Sequence, residues 1–307
     1  YELRVYANDG GGGLAPLSAV PLSVTGFAES AQAADIDGDD DVDVVVVGGG
    51  SNPVELEAFL NDGAGVLVPA GPLLIASGEA FTLGDLDDDG LLDVFVDRGS
   101  TGLSVIHQTS PGVFELGETY GLGAYYVEDI QLGDTNGDGH VDVLFQSTSS
   151  GIPGFGVLAG DGLGGLVEPA QLHGFAPGDT VQGVVVGDLD ADGLADVTLT
   201  CTLDDTHHLG VYLAQAGSVL PVLAQDVVTG SSVRIEAIVD LDGDGAPDVL
   251  GVADGPPPVE VTIWNNDGAG LLTVTESFAS FHEGEVLVGD VDGDGFPELV
   301  TGTNDEW

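Results

Sequence analysis

The stretch DLDGDGAPD, Asp240–Asp248, sets four carboxylates on odd-numbered positions with glycines between the later ones. Like charges held so close repel one another, and a lone copy would suit a solvated turn. Near copies recur, however: DIDGDDDVD from Asp35, DLDDDGLLD from Asp85, DTNGDGHVD from Asp134, DLDADGLAD from Asp188 and DVDGDGFPE from Asp290. Their starts are separated by 50, 49, 54, 52 and 50 residues in a chain of 307. A fixed period over a whole chain is the signature of a repeat architecture.

Each unit has the same grammar. An apolar stretch leads into the loop, as in GVVVG before Asp188, and a β-branched run leaves it, as in DVVVV from Asp43. A Gly/Ser/Pro-rich turn follows. A third segment then ends in a tight glycine turn, AFLNDGAG at Ala58–Gly65 or TIWNNDGAG at Thr262–Gly270, and a fourth apolar segment closes the unit. Short apolar runs about 8–12 residues apart, with turn signals between them and no helical period, predict an all-β chain. Four strands in about 50 residues is the arithmetic of a β-propeller blade. The first 24 residues hold only a third and a fourth strand, and the segment from Glu285 holds only a first and a second. Joined through the termini, they restore a spacing of 52 residues. The expectation is therefore one domain over 1–307, a six-bladed β-propeller of four-stranded blades. Its ring is closed by the N-terminal strands joining the C-terminal half-blade, which removes free sheet edges.

The loop has a definite chemistry. Carboxylates at positions 1, 3 and 5 converge on one concavity, and glycine at position 6 allows a sharp turn. Position 7 offers a backbone carbonyl, and position 9 returns a carboxylate from the next strand. Six or seven oxygen ligands suit Ca2+; Mg2+ demands a stricter octahedron, and softer metals call for Cys or His. The candidate ligands are Asp35, Asp37, Asp39, Asp41 and Asp43; Asp85, Asp87, Asp89, Leu91 and Asp93; Asp134, Asn136, Asp138, His140 and Asp142. The later loops offer Asp188, Asp190, Asp192, Leu194 and Asp196; Asp240, Asp242, Asp244, Ala246 and Asp248; and Asp290, Asp292, Asp294, Phe296 and Glu298. Up to six Ca2+ ions are expected, one per blade. The helix–loop–helix calcium site needs a Glu at position 12, whereas these loops carry Val46, Val96, Phe145, Leu199, Gly251 and Thr301 there. Asn136 removes one charge from the third loop, and Asp40 replaces the position-6 glycine in the first.

The pairing of DxDGDGxxD with LNDGAG or WNNDGAG resembles FG-GAP/VCBS repeats, the kind found in integrin α-subunit propellers and many bacterial surface proteins. The resemblance covers the whole chain. It implies calcium in the loop joining the first and second strands of each blade, and partners on the opposite face. Integrin propellers have seven blades, so a count of six departs from them.

Asp and Glu total 53 against three basic residues, for a formal charge of −50. Such a field repels nucleic acid, phosphate and anionic lipid, and it strains a compact state until cations enter. No apolar run is long enough to span a membrane. The chain starts without a basic leader, so a mature secreted or cell-surface protein, or an excised domain of one, is expected. Cys201, the only cysteine, is expected to be a small buried hydrophobe. Trp264, aligned with Phe59, Tyr6 and Tyr212 on third strands, is assigned to the core. His207 and His208 are assigned to an exposed turn. Tyr120, Tyr125 and Tyr126 form the densest aromatic group and are the candidate ligand-binding residues. No Ser or Cys nucleophile is placed beside a base. A propeller phytase needs several cationic side chains for its phosphates, and only Arg4, Arg98 and Arg234 are present. The reading is a non-catalytic, calcium-stabilised module for binding or adhesion, with a lectin-like, carbohydrate-binding propeller, alone or attached to a polysaccharide-active enzyme, as the alternative. The expected partner is a protein or a glycan.

Overall fold

The computed structural model describes residues 2–8, 14–23, 28–48, 54–75, 81–97, 102–122, 127–147, 153–253, 259–280, 286–289 and 297–301. Among the described residues every regular element is a strand. The chain opens with an antiparallel pair, β1 (Glu2–Asn8) and β2 (Leu14–Pro21). Four-stranded sheets follow in sequence order. The first comprises β3 (Ala28–Ala34), β4 (Asp43–Gly48), β5 (Val54–Asn61) and β6 (Leu67–Ile75). The second comprises β7 (Phe81–Gly84), β8 (Asp93–Asp97), β9 (Leu103–Ser110) and β10 (Val113–Tyr120). The third comprises β11 (Val127–Gly133), β12 (Asp142–Ser147), β13 (Gly154–Leu158) and β14 (Gln171–Gly174). The fourth is built from β15 (Thr180–Gly187), β16 (Asp196–Leu203), β17 (Thr206–Gln215) and β18 (Ser218–Thr229). The fifth is built from β19 (Val233–Val239), β20 (Asp248–Ala253), β21 (Val259–Asn266) and β22 (Leu272–Ser280). A last antiparallel pair is β23 (Val286–Gly289) with β24 (Glu298–Thr301).

These are propeller-like blades: each strand pairs with the next in sequence. Each acidic loop joins the first strand to the second, as the sequence predicts. The terminal pairs stand as separate two-stranded sheets among the described residues.

The chain packs as two compact units. One is Tyr1–Ile130 with Gly160–Pro169, and the other is Gln131–Ala159 with Ala170–Trp307. Within each, consecutive sheets are stacked through apolar layers. In the first unit, Val45 and Val47 of β4 join Phe81, Val94, Val96 and Ile106 of the next sheet. Val46, between them, turns to the other face and packs with Phe59 against Leu3, Val5 and Val20. Alternation along one strand thus fills two layers, so a second strand covered on both faces reads DVVVV without a polar break. In the second unit, Leu144 and Val157 meet Val181, Val197, Leu199 and Cys201. Leu209 and Val211 meet Val233, Val249 and Trp264, and a further layer runs from Leu250 and Val261 to Val288 and Leu299.

Cys201 and Trp264 are buried, as expected. Tyr6, aligned with Trp264 in sequence, is 47% exposed; among the described residues its sheet has two strands.

Candidate metal centre

Five of the six loops lie within the described residues and share one hydrogen-bond scheme. The position-1 carboxylate is a hub for backbone N–H groups. Asp85 accepts from Asp89 N at 3.1 Å and Gly90 N at 2.8 Å, Asp188 from Asp192 and Gly193, and Asp240 from Gly243 and Gly245. The position-5 carboxylate accepts the N–H two residues on, in Asp39, Asp89, Asp138, Asp192 and Asp244. These bonds need left-handed backbone at positions 4 and 6. Gly90 and Gly193 both have φ of 87°, and Asp40 takes the same region at 70° without glycine. Position 4 is as demanding, yet Asp88 (59°) and Ala191 (60°) occupy it. The loop's own network outweighs their preference.

The position-9 residue has a second role that the ligand pattern does not reveal. Asp43, Asp93, Asp142, Asp196 and Asp248 are buried at the first position of their strands. One carboxylate oxygen accepts the position-2 N–H of the loop, as from Leu189 to Asp196 at 2.8 Å and Leu241 to Asp248 at 3.0 Å. The other accepts a third-strand N–H in four of the blades: Asn61 to Asp43, Gln108 to Asp93, Ala214 to Asp196 and Asn266 to Asp248. The residue is a clamp fastening loop, second strand and third strand together.

That third-strand residue also reaches outward. Asn266 Nδ2 donates to Pro247 O at 3.0 Å in its own loop and to Leu189 O at 2.7 Å in the loop of the preceding blade. Gln108 Nε2 donates to Ile36 O in the same way. The visible signal was an amide residue 15 or 18 places after the clamp carboxylate. The glycine turns beside them are held by their own side chains: Asp267 Oδ1 accepts from Ala269 and Leu271, and Asn266 Oδ1 from Gly268 and Gly270.

Oxygen atoms converge as the spacing predicts. Asp35–Asp37–Asp39, Asp85–Asp87–Asp89, Asp188–Asp190–Asp196 and Asp240–Asp242–Asp248 each present ligand atoms within 4.8 Å of one another. The clamp carboxylate joins the group in the last two. Burial pushes the Asp196 carboxyl up to about 6, with repulsion from Asp190 and Asp192 adding to it. Burial also raises Asp93, Asp190 and Asp248. Asp37 is raised by burial and then by Asp43, Asp39 and Asp35. Asp35 moves the other way: despite burial, backbone N–H groups of Asp40, Gly38 and Asp39 hold its carboxyl low. Asp37 Oδ1 is buried with no hydrogen-bond partner among the described residues. Converging carboxylates, one of them in the first loop with an unpartnered buried oxygen, fit a hard divalent cation.

The third loop is different. Asn136 Nδ2 donates to both oxygens of Asp142, at 3.3 and 3.1 Å, so an internal donor sits where the other loops carry a ligand. In the sixth, Glu298 begins β24, while Asp290, Asp292, Asp294 and Phe296 lie outside the described residues.

Two other expectations change. Tyr120, named from the sequence as a candidate ligand-binding residue, is 4% exposed, and its hydroxyl accepts from Leu166 N at 3.0 Å. It is a packing residue, because the turn at 160–169 folds over it; Tyr125 and Tyr126 lie outside the described residues. His207 and His208 are not in the turn, which is Asp204–Asp205, but in β17. His207 Nδ1 bonds Thr202 Oγ1 at 2.9 Å and His208 Nδ1 bonds Asp226 Oδ1 at 2.7 Å.

Stacked four-stranded blades with an acidic loop at the same corner of each define a propeller-type repeat protein. The chain carries FG-GAP-like repeats: that family matches residues 85–145 and 240–301, each span including two complete acidic loops. A crystal structure from Bacteroides fragilis, described as a candidate 6-phosphogluconolactonase, is similar over 93% of this chain and 80% of its own, at 15% identity and a TM-score of 0.58. BBS1N in complex with ARL6DN aligns over 87% of this chain and 86% of its own at 10% identity and a TM-score of 0.40. Rhamnogalacturonan lyase PL11 from Bacillus licheniformis aligns over 89% and 57%, at 14% identity and a TM-score of 0.31. The first of these likenesses speaks to the fold alone. No curated protein matches this chain.

Proposed function

We propose that the chain is a six-bladed propeller closed through its termini, held together by up to six Ca2+ ions, and serving as a non-catalytic binding or adhesion module of a secreted or cell-surface protein. The observation that carries this reading is the set of four carboxylate clusters, each at the same blade corner, with the Asp196 carboxyl raised to about 6 and Asp37 Oδ1 unpartnered. Repeated sites at the same corner of a fold argue for stabilisation rather than catalysis, since a reaction needs one centre. Ca2+ at each site would offset two of the loop's negative charges and brace the clamp and, through it, the bond to the neighbouring blade. Extracellular calcium sites bind in the range of about 0.1–1 mM. At ten times the dissociation constant each adds about 1.4 kcal/mol, so six would supply roughly 8 kcal/mol, comparable to the stability of a whole domain.

The activity named for the Bacteroides fragilis protein is not extended to this chain. A phosphorylated substrate calls for cationic side chains. The chain has no lysine, and among the described residues Arg4 is paired with Glu2 and Arg234 with Glu236.

The test is metal analysis of the purified protein with thermal melts in calcium and in chelator. Five or six ions per chain and a large upward shift of Tm in calcium are expected. An unchanged Tm in chelator at low salt would overturn the reading.

A further inference from the structure

The repeats allow one blade to be compared with another, and a polar pair sets the fifth apart. Asn265 follows Trp264, the partner of Val249 just after the clamp Asp248. At that register the other four-stranded sheets carry Leu60, His107, Ala159 and Leu213. The fourth strands of the first, fourth and fifth sheets share a bulge beside this position, and its extra residue is Ala70, Ala224 and Thr275 in turn. Leu60 and Ala70 pack together on the next sheet: a Cβ on Gly112 would stand 3.0 Å from Leu60 Cδ1 and 3.5 Å from Ala70 Cβ. Leu213 meets Gly270 of its next sheet in the same way. In the fifth sheet both apolar positions have become polar together.

The pair forms a relay to the acidic loop. Thr275 Oγ1 donates to Asn265 Oδ1, and Asn265 Nδ2 donates to Asp242 Oδ2. A carboxylate only accepts, so the amide turns its NH2 to the loop, and the hydroxyl fixes its carbonyl end. Asp242 Oδ1 accepts from Asp244 N at 3.1 Å, so both oxygens are held while each keeps a lone pair for a cation. The loop needs this support. Asp242 is exposed, whereas Asp37, Asp87 and Asp190 at the same loop position are half-buried. An exposed carboxylate beside Asp240, Asp244 and Asp248 lowers its repulsion by swinging out to solvent. Its ligand atom nevertheless lies within 4.8 Å of those of Asp240 and Asp248. In the first loop, beside Leu60 and Ala70, Asp37 Oδ1 has no hydrogen-bond partner among the described residues. His107, the other polar side chain at this register, addresses the clamp instead, with Nδ1 3.5 Å from Asp93 Oδ2.

We infer that Asn265 and Thr275 are positioning residues that preset Asp242 for its cation, and that they raise the affinity of this loop above that of the same loop with an apolar pair beside it. The inference rests on the calcium reading and deepens it. The sites are graded by third- and fourth-strand side chains outside the ligand set, so loops with matching ligands need not fill together. Partners that orient a metal ligand are typically worth about 10–100-fold in metal affinity.

The test is a Ca2+ titration of the isotope-labelled full chain followed by amide NMR. The Gly245 N–H, bonded to Asp240, reports this loop, and the Gly90 N–H, bonded to Asp85, reports another. Asn265→Leu should raise the calcium midpoint at Gly245 about tenfold or more. Thr275→Ala, at an exposed position that folding tolerates, should raise it about threefold. Thr275→Ser keeps the hydroxyl and should restore the parent midpoint. Thr275→Ala should add nothing in the Asn265→Leu background, because the hydroxyl acts only through the amide. A residue that merely supports the fold would move Gly90 as well, and its midpoint should stay at the parent value in every variant. Three results would each overturn the inference: a Gly245 midpoint unmoved by Asn265→Leu, an undiminished effect of Thr275→Ala in that background, or equal shifts at Gly90. Calcium shifts at Gly90 with none at Gly245 would sink it and leave the calcium reading standing. No shift at either glycine would sink both.

Discussion

Replacing Asp196 by asparagine separates the clamp from the metal ligand. The Asp196 side chain is fully buried, with Leu189 N at 2.8 Å from one oxygen and Ala214 N at 2.7 Å from the other. Asparagine keeps one acceptor and turns an NH2 group toward the other N–H, at a cost of about 1–3 kcal/mol. That penalty is indifferent to calcium; the charge is not. Burial lifts the Asp196 carboxyl from 3.8 to about 6. The folded, metal-free protein therefore holds a proton that the unfolded chain releases between those values. Stability from this group is complete below about pH 4 and is lost as pH rises through about 6. Asparagine carries no charge and escapes that loss, so in chelator at pH 7.5 the substitution is partly offset. In calcium the offset disappears, because the ion stabilises the wild-type carboxylate, and the variant also forfeits binding at that loop. At ten times the dissociation constant this is about 1.4 kcal/mol, or about 3 °C in Tm for a chain of this size. Circular-dichroism melts of both proteins, at pH 5 and 7.5, in EDTA and in calcium, measure it. The gap between wild type and variant should widen in calcium at pH 7.5 by at least that amount, and metal-free wild type should melt higher at pH 5 than at 7.5. Equal gaps in EDTA and calcium would leave Asp196 a clamp with no part in metal binding.

Three further substitutions probe the neighbouring parts. Asn136→Asp completes the carboxylate set of the third loop and removes the donor to Asp142; calorimetric titration should show tighter calcium binding there, with a lower Tm in chelator. Asn266→Ala strips donors from Leu189 O and Pro247 O and an acceptor from Gly268 and Gly270. Urea denaturation should register a loss of about 2–5 kcal/mol, and a value under about 1 kcal/mol would mean that the latch is idle. Gly251→Ala drives a methyl group into Val233 and Trp264. The same assay should show about 1–3 kcal/mol of destabilisation, accompanied by a change in tryptophan emission.

The repeat, the strand count per blade and the convergence of carboxylates were legible because each depends on spacing within a single unit. Val45, Val46 and Val47 announce a strand covered on both faces without any knowledge of what covers it. What escaped depends on the neighbour. Tyr120 reads as an available ring until the 160–169 turn is placed over its hydroxyl. His207 and His208 read as a turn because the two residues before Thr206, not the histidines, take the left-handed backbone. Ala191 gives no sign in sequence that it sits at φ 60°, since the loop is held there by the hydrogen bonds of its neighbours to Asp188 and Asp196.

The position-9 carboxylate hides most, because its ligand role is enough to explain its presence. Yet Asp248 holds the backbone of Asn266, whose side chain holds the carbonyl of Leu189, whose own N–H is held by Asp196. Clamp, latch and clamp thus run in series from one acidic loop to the next. A cation drawn to Asp248 would fix Asn266 and with it the fourth blade's loop, so occupancy of adjacent loops should be coupled with positive sign. The Asn266→Ala variant should then bind calcium at these two loops with no such coupling, even where both still fill. Undiminished coupling in that variant would show that the blades communicate by another route.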